Sequence, residues 1–497
     1  MTNKMTTCDI FFEREIRDPI YGYIFLTNVE CGVLDSEIFQ RLDKIFQMPT
    51  AQFVYPSAKH TRKTHSLGAM HLASKAILNI LYRQSQNKRG SLSSICWGEH
   101  VVTKEKEEGL QNFDQKLRGD WWNSRDEEQI IQSLRLAAML HDIGHAPLAH
   151  LFEDVCRKAE IKFEFKGKKH VFDHELMSLK IIEEKEEKLG LKSPFKSEDI
   201  VEILRHGGKA PPFLHEIISG AYDCDKLDYL ARDAHATGAI EFGSIDCERI
   251  LNSMRVINKE TLCVSASALD ALMKSFDAVQ YMYTSLYYHK TVRVFDFMIT
   301  EALTKIPDFL NNLVSDIDSF LAMDDYSFFY EARRFAVENR INDAVKLLDD
   351  IRYRRKKYKD IFSHRVSIDL LVRESTEKKL KKIEIALMKD AKNLEIRVDY
   401  RPGIRSVGID IEDLPGWINS ERIYDPSDGK TKELKDFSSA YQRRLTQYVI
   451  LFRVYANREQ LSNDGSHIYD TEKKKIVALA DQLLKGLDHE FESLRAR

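Results

Sequence analysis

Residues 130–155 read IIQSLRLAAMLHDIGHAPLAHLFEDV, and the character of the chain changes sharply at His141. An apolar run at helical spacing leads into His141, pauses at Gly144 and is expected to resume as a helix at Pro147, a residue suited to a first helical turn. His141 and Asp142 follow five apolar residues, LAAML, so a buried helix delivers an imidazole and a carboxylate together. Buried polar groups are costly unless they are partnered. The pair offers one nitrogen and one oxygen donor to a metal ion, which could be held only if further ligands converge from elsewhere in the fold. An isolated His-Asp pair is more often a surface accident or a helix-end cap, so its meaning depends on the rest of the chain.

Outward from this stretch the pattern is mainly helical. Upstream, HSLGAMHLASKAILNILY reads as a helix after a loop at YPSAKHTRKT, and LDSEIFQRLDKIF places Leu34, Ile38, Leu42 and Ile45 at helical spacing. IRDPIYGYIFL allows a short strand or hairpin around Pro19 and Gly22. Residues 84–130 are polar, weakly periodic and read as an excursion from the core. Residues 174–305 read as successive amphipathic helices, broken at RHGGKAPPF and TGAIEFGSID. Beyond about residue 306 a charged helical stretch carries RYRRKKYK and TEKKLKKIEIALMK. It gives way to β-like runs such as EIRVDYRPGIRSVGIDI and a final helix from about Asp470. The expected architecture is a mainly α domain over 1–305 and a mixed α/β lobe over 306–497.

The 497 residues carry 75 Lys+Arg against 78 Asp+Glu, a formal net charge of −3, which argues against a surface built to neutralise a phosphate backbone. Seven scattered cysteines, never spaced as C-x-x-C, fit reduced thiols and a cytoplasmic setting. No run approaches the roughly 18 apolar residues of a membrane span, and the acidic residues near the start do not suit a secretory signal. No internal repeat and no Gly-rich phosphate loop is present.

Further histidines and acids stand in settings like that of His141-Asp142: His65 at the start of HSLGAMHLA, His145 and His150 downstream, and Asp225 in DCDKLDYLARDA. In the last word, Asp228, Arg232 and Asp233 have an alternative reading as a solvated salt-bridge series on a helix face. The order His65, His141-Asp142, Asp225, within HTRKTHSLG, LHDIGHAPLAH, FDHE and DKLDYLARD, resembles the HD-domain superfamily. Within it, the resemblance is to the deoxynucleoside triphosphate triphosphohydrolases, and over about residues 14–305 to the HD domain of the animal enzymes that join it to a SAM domain, which is not expected here.

The resemblance implies that His65, His141, Asp142 and Asp225 ligate one divalent ion, iron, manganese or magnesium, with zinc also compatible with the donors. It implies cleavage of a dNTP between the 5′ oxygen and the α-phosphorus, giving a deoxynucleoside and tripolyphosphate. His150 and His174 match catalytic histidines, Glu153 and Glu175 the carboxylates that orient them, and His145 a group at the α-phosphate; His150 is the expected general acid. The alternative for His174 is a helix-start residue without chemistry. Arg62 and Lys226 match phosphate contacts, with ordinary surface charge as the alternative. Gln47, Tyr229 and Asp233 match positions near the 3′ hydroxyl, and Tyr287 a ring against the ribose face; by default such a tyrosine is a core residue.

Several positions depart from the animal enzymes. Val279 and Tyr283 stand in place of an arginine and a histidine, and Asp43 replaces an arginine of a GTP-reading site in which Asp35 is retained. An anion in place of a cation beside a triphosphate is unfavourable, so GTP activation in the same form is expected to be absent or altered. The family also implies a homo-oligomer, a dimer or tetramer. Two rival readings remain: a different HD phosphohydrolase or nuclease acting on another nucleotide or on nucleic acid, and a nucleic-acid-binding regulator that uses RYRRKKYK and TEKKLKKIE. Acids close behind those runs favour solvated helix faces instead.

Overall fold

The computed structural model describes residues 10–86, 124–125, 127–191, 194–257, 260–369, 373–400, 422–438, 441, 447–462 and 467–495. Most of the 84–130 excursion and part of the β-like run after Tyr400 lie outside them. The fold is mainly α. A hairpin, Phe12–Asp18 with Gly22–Thr27, leads through Thr27, which caps the helix Asn28–Leu34 in a capping box with Glu30. Glu30 is buried, and its carboxylate takes a bidentate pair from Arg135 (2.6 and 2.7 Å) and a bond from Gln132 (2.7 Å). That network bolts the hairpin end to the helix Glu127–Leu140, which packs along the helix Arg62–Gln86. The helix Cys224–Thr237 lies against the same Arg62–Gln86 helix, so His65 on that helix meets His141, just past one neighbour, and Asp225 on the other.

Local structure differs from expectation at informative places. The Arg62–Gln86 helix begins inside the expected YPSAKHTRKT loop, because backbone bonds from Gln47 N to His60 O (3.0 Å) and Arg62 N to Ile45 O (2.9 Å) fix its approach. Pro147 does not open a helix. The chain passes through two left-handed residues, Leu148 (φ 71°) and Ala149 (φ 50°), and the helix starts at His150. Residues 162–171 form a hairpin before His174, whose helix His174–Glu184 is capped by Asp173.

Within the expected helical run, Met254–Ile257 and Thr261–Ser265 are strands, and Thr261–Ser265 pairs in parallel with Ile423–Asp425. Past residue 306, four helices from Pro307–Ser315 to Asn342–Arg352 still bury Leu310, Phe320, Phe328, Leu347 and Ile351 in the same apolar cluster as the N-terminal helices. A second cluster lies between the three-stranded sheet Tyr358–Asp369, Gln447–Asn457 and Ile396–Asp399 and the helices Arg373–Asp390 and His467–Arg495. RYRRKKYK is not a helix face: it spans the end of Asn342–Arg352, a turn, and the start of the strand Tyr358–Asp369. Among the described residues no helix is long and apolar enough to cross a membrane.

Candidate active site and metal centre

His65 is fully buried, one turn into its helix, with Nδ1 2.7 Å from Oδ2 of Asp228. This bond fixes the ring so that Nε2 faces Asp225 Oδ1 (2.9 Å) and Asp142 Oδ2 (3.6 Å). His141 is oriented in the same way: Nδ1 meets the Ala138 carbonyl at 2.8 Å, and Nε2 stands 3.4 Å from Asp142 Oδ1 and 3.7 Å from Asp225 Oδ1. Nε2 of both rings is buried without a properly directed hydrogen bond. Burial opposes ionisation of Asp142, but Arg62 and the neighbouring histidines hold it well below the usual carboxylate range. Burial also opposes a proton on His65, yet Asp225 and Asp228 raise its pKa to about 10, a measure of how strongly the carboxylates call for positive charge at this point.

These observations fit a divalent cation. Two orphaned imidazole nitrogens and two carboxylates converge, each histidine is braced through its other nitrogen, and the mixed N/O donor set accepts several first-row ions or magnesium. His65, His141 and Asp142 place one ligand atom each within 4.8 Å of one another. Asp228 is itself held by Arg232 (2.8 and 2.9 Å), which reaches Asp18 at 2.9 Å. The two are buried, so the surface-series reading does not apply to them. Gly68 makes room for the pair, since any side-chain carbon there would collide with Asp228 and Arg232.

A second histidine group adjoins the first. His145 is buried, lies 3.3 Å from Asp142 Oδ1 and stacks on His174 with ring centres 3.9 Å apart and planes at 15°. His150 stands edge-on to both rings and is largely exposed. Glu153 holds His174 Nδ1 in a short contact and lies 3.6 Å from His150 Nδ1. Burial disfavours charge on Glu153, but His174 and His150 keep it ionised far below its ordinary range. Burial likewise disfavours a proton on His174, and Glu153 overrides this to raise its pKa to about 9. The three histidines are close enough to share an ion. Parallel stacked rings, however, cannot both aim an in-plane lone pair at one ion, so this group suits protons and anions.

A cavity of about 1080 Å³ joins His150, Glu153 and His174 of the second group to a third. Gln47, Arg62, Tyr229, Asp233 and Tyr287 line it together with His150, Glu153, His174 and Glu175, while His65, His141, Asp142, His145, Asp225 and Lys226 are not among its lining residues. Arg62 connects the two zones, lining the cavity and donating to Asp142 at 2.5 Å. Asp233 accepts from Tyr287 Oη (2.5 Å) and meets His60 Nε2 at 2.6 Å, so His60 is a site residue that sequence reasoning missed. The buried Oε1 of Gln47 has no hydrogen-bond partner. Tyr283 and Tyr287 flank a π-helical turn, and both line the cavity, whereas Val279 is buried in the apolar cluster behind them. The Lys226 ammonium is turned to Asp223 and the Gly220 carbonyl. Asp35 is paired with Arg14, at 2.7 and 2.9 Å.

The HD domain family model matches residues 119–233, and the HD associated region model matches residues 245–466. The chain is 28% identical to an uncharacterized protein of Methanocaldococcus jannaschii over 96% of this chain and 85% of that one. It is 27% identical to the deoxynucleoside triphosphate triphosphohydrolase SAMHD1 homolog of Dictyostelium discoideum over 71% of this chain, and spans 61% of that enzyme's length. A hypothetical protein from Aquifex aeolicus of known structure shares the fold, with a TM-score of 0.61 at 22% identity over 94% of this chain and 100% of its own. The chain carries the HD domain and its associated region, which supports a metal-dependent phosphohydrolase, and it is related to the deoxynucleoside triphosphate triphosphohydrolases.

Proposed function

We propose that the protein hydrolyses deoxynucleoside triphosphates to a deoxynucleoside and tripolyphosphate, with His65, His141, Asp142 and Asp225 holding one divalent ion. The observation that carries this reading is the wall formed by Gln47, Tyr229, Asp233 and Tyr287. It lines the same cavity as His150 and His174 with polar and aromatic groups that a generic phosphate site does not need. A bound divalent ion supplies a polarised phosphoryl oxygen and an activated water at neutral pH.

The chain's own groups do the rest. Arg62 neutralises the phosphate side, and His145 and His174 flank the α-phosphate, His174 carrying a proton at neutral pH. His150, exposed and lining the cavity, donates its proton to the 5′ oxygen as the P–O5′ bond breaks, and Glu153 keeps both neighbouring rings in the needed orientation. Asp233 receives the 3′ hydroxyl, and Tyr287, fixed by its bond to Asp233, closes the space a 2′ hydroxyl would need.

The similarity to an enzyme named as a dNTP triphosphohydrolase supports the same substrate class. A second reading, an HD phosphohydrolase or nuclease for a larger nucleotide or a nucleic-acid end, draws on the volume of the cavity, which is at the upper limit of small-ligand sites. The test is incubation with each dNTP, each NTP and a single-stranded oligonucleotide under magnesium, manganese, iron or zinc, with products resolved by ion exchange. Deoxynucleoside and tripolyphosphate from dNTPs alone support the proposal, and cleavage of the oligonucleotide or NTPs with intact dNTPs supports the second reading.

A further inference from the structure

Asp325 lies outside every motif named above, in the first turn of the helix Asp325–Glu338. Its own helix does not need it as a cap, because Asp324 already accepts from Tyr326 N and Ser327 N. The Asp325 side chain instead turns away and accepts two backbone N–H groups that are far apart in sequence. Oδ2 takes the N–H of Phe46 at 2.7 Å, and Oδ1 takes the N–H of Leu148 at 2.9 Å. Phe46 precedes Gln47 and Leu148 stands two residues before His150, and Gln47, Leu148 and His150 all line the cavity. The carboxylate is buried.

The second attachment point is the place where the backbone most needs support. Leu148 and Ala149 both have positive φ, and the helix His150–Lys158 starts from Ala149 without a side-chain cap. Left-handed backbone at residues other than glycine persists where the surroundings over-determine it. Arg41 secures the chain just before Asp325, with Nε donating to the Met323 carbonyl at 2.8 Å and its guanidinium over the Phe320 ring. Two loops that no local sequence pattern relates are thus joined through one charge.

We propose that Asp325 is a positioning residue that sets the separation of Gln47 and His150, and so fixes the substrate between the sugar end and the proton donor. This rests on the functional reading above for the identity of the substrate, but not for the tie itself. Asp325→Asn keeps the volume and replaces one acceptor oxygen with a donor that faces an N–H, so at least one loop is released. Asp325→Ala would release both, with more risk to folding.

The experiment compares wild type and Asp325→Asn by hydrogen exchange in peptides covering residues 44–50 and 145–152, by metal content, and by kcat and KM for a dNTP. Exchange at least tenfold faster in one or both peptides and unchanged in the rest of the molecule is expected. With it should come one metal equivalent as in wild type, and a kcat at least tenfold lower with a smaller change in KM. Unchanged exchange in both peptides, exchange accelerated throughout the chain, or local acceleration with kcat intact would each overturn the proposal. If wild type cleaves no dNTP, the functional reading fails, and the exchange comparison alone then decides whether Asp325 ties the loops.

Discussion

The two histidine groups on either side of Asp142 use the same side chain in opposite arrangements. His65 and His141 stand edge to face at 73°, each braced through Nδ1 by a group behind it, with bare Nε2 atoms directed at shared carboxylates. His145 and His174 are stacked face to face; Glu153 grips His174 Nδ1, and Asp142 lies 3.3 Å from His145 Nε2. The first geometry is one in which in-plane lone pairs meet at a point, as a cation requires. The second keeps a proton on His174 and leaves His145 bare beside it. Imidazole chemistry here follows from ring orientation and from what holds the far nitrogen, more than from burial, which is nearly the same for His65 and His145.

Variants can break this contrast, and the largest effect is expected where the groups meet. Asp142 touches both, so Asp142→Ala should lower activity on the order of 10³-fold or more and leave the protein with less than one metal equivalent by elemental analysis. Full metal occupancy in that variant would remove Asp142 from the ligand set. On the proton side alone, Glu153→Gln and His174→Ala should reduce kcat by roughly 10²–10⁴-fold while metal content stays at the wild-type value.

The pH profile sharpens the same point. The His174 pKa of about 9 lies above its ordinary value of 6.5, so the protonated form persists through neutral pH and is lost as the pH rises through about 9. The alkaline limb of kcat against pH should therefore fall near 9 in wild type and move to lower pH in Glu153→Gln; coincident limbs would show that this proton is not used. On the metal side, Asp228→Asn should raise the metal dissociation constant about 10–100-fold, with activity recovered at high metal concentration. Away from both groups, Asp233→Ala should raise KM for dNTPs by about 10–100-fold, corresponding to roughly 1–3 kcal/mol for a buried partner lost, with metal content untouched. GTP activation in the same form is expected to be absent or altered, since Asp43 places an anion beside Lys63 and Thr61; GTP-driven tetramers in analytical ultracentrifugation would contradict this.

What could be read from the sequence was what local pattern encodes. LAAML before His141-Asp142 announced a buried helix ending in ligand-type side chains, and the structure places that helix at Glu127–Leu140. The roles of Asp228 and Arg232 stayed ambiguous because i, i+4 charge spacing is the same on a solvated face and in a buried brace. The space beside Gly68 and the reach to Asp18 decide between them, and both are tertiary. Pro147 suggested a helix start, but a bond from Leu148 N to Asp325, 177 residues away, holds a left-handed turn there instead.

RYRRKKYK looked like one helical face because its charges hide a boundary: Arg354 adopts φ 56°, and Lys357 is drawn to Glu301 at 2.8 Å as the strand begins. The strand pair at 254–257 and 261–265 had a readable signal in its β-branched residues, Val256, Ile257, Thr261 and Val264, on either side of a polar stretch of sequence. His60 carried none, since its partner Asp233 lies 173 residues away.

The most direct test of the central claim is hydrolysis of a dNTP in ¹⁸O-enriched water by the metal-loaded protein, with the products separated and weighed by mass spectrometry. Attack at the α-phosphorus with departure of the 5′ oxygen predicts one ¹⁸O atom in tripolyphosphate and none in the deoxynucleoside. Label in the nucleoside, or in orthophosphate or pyrophosphate with a nucleotide left behind, would mean that a different bond is broken and that the site works on another chemistry.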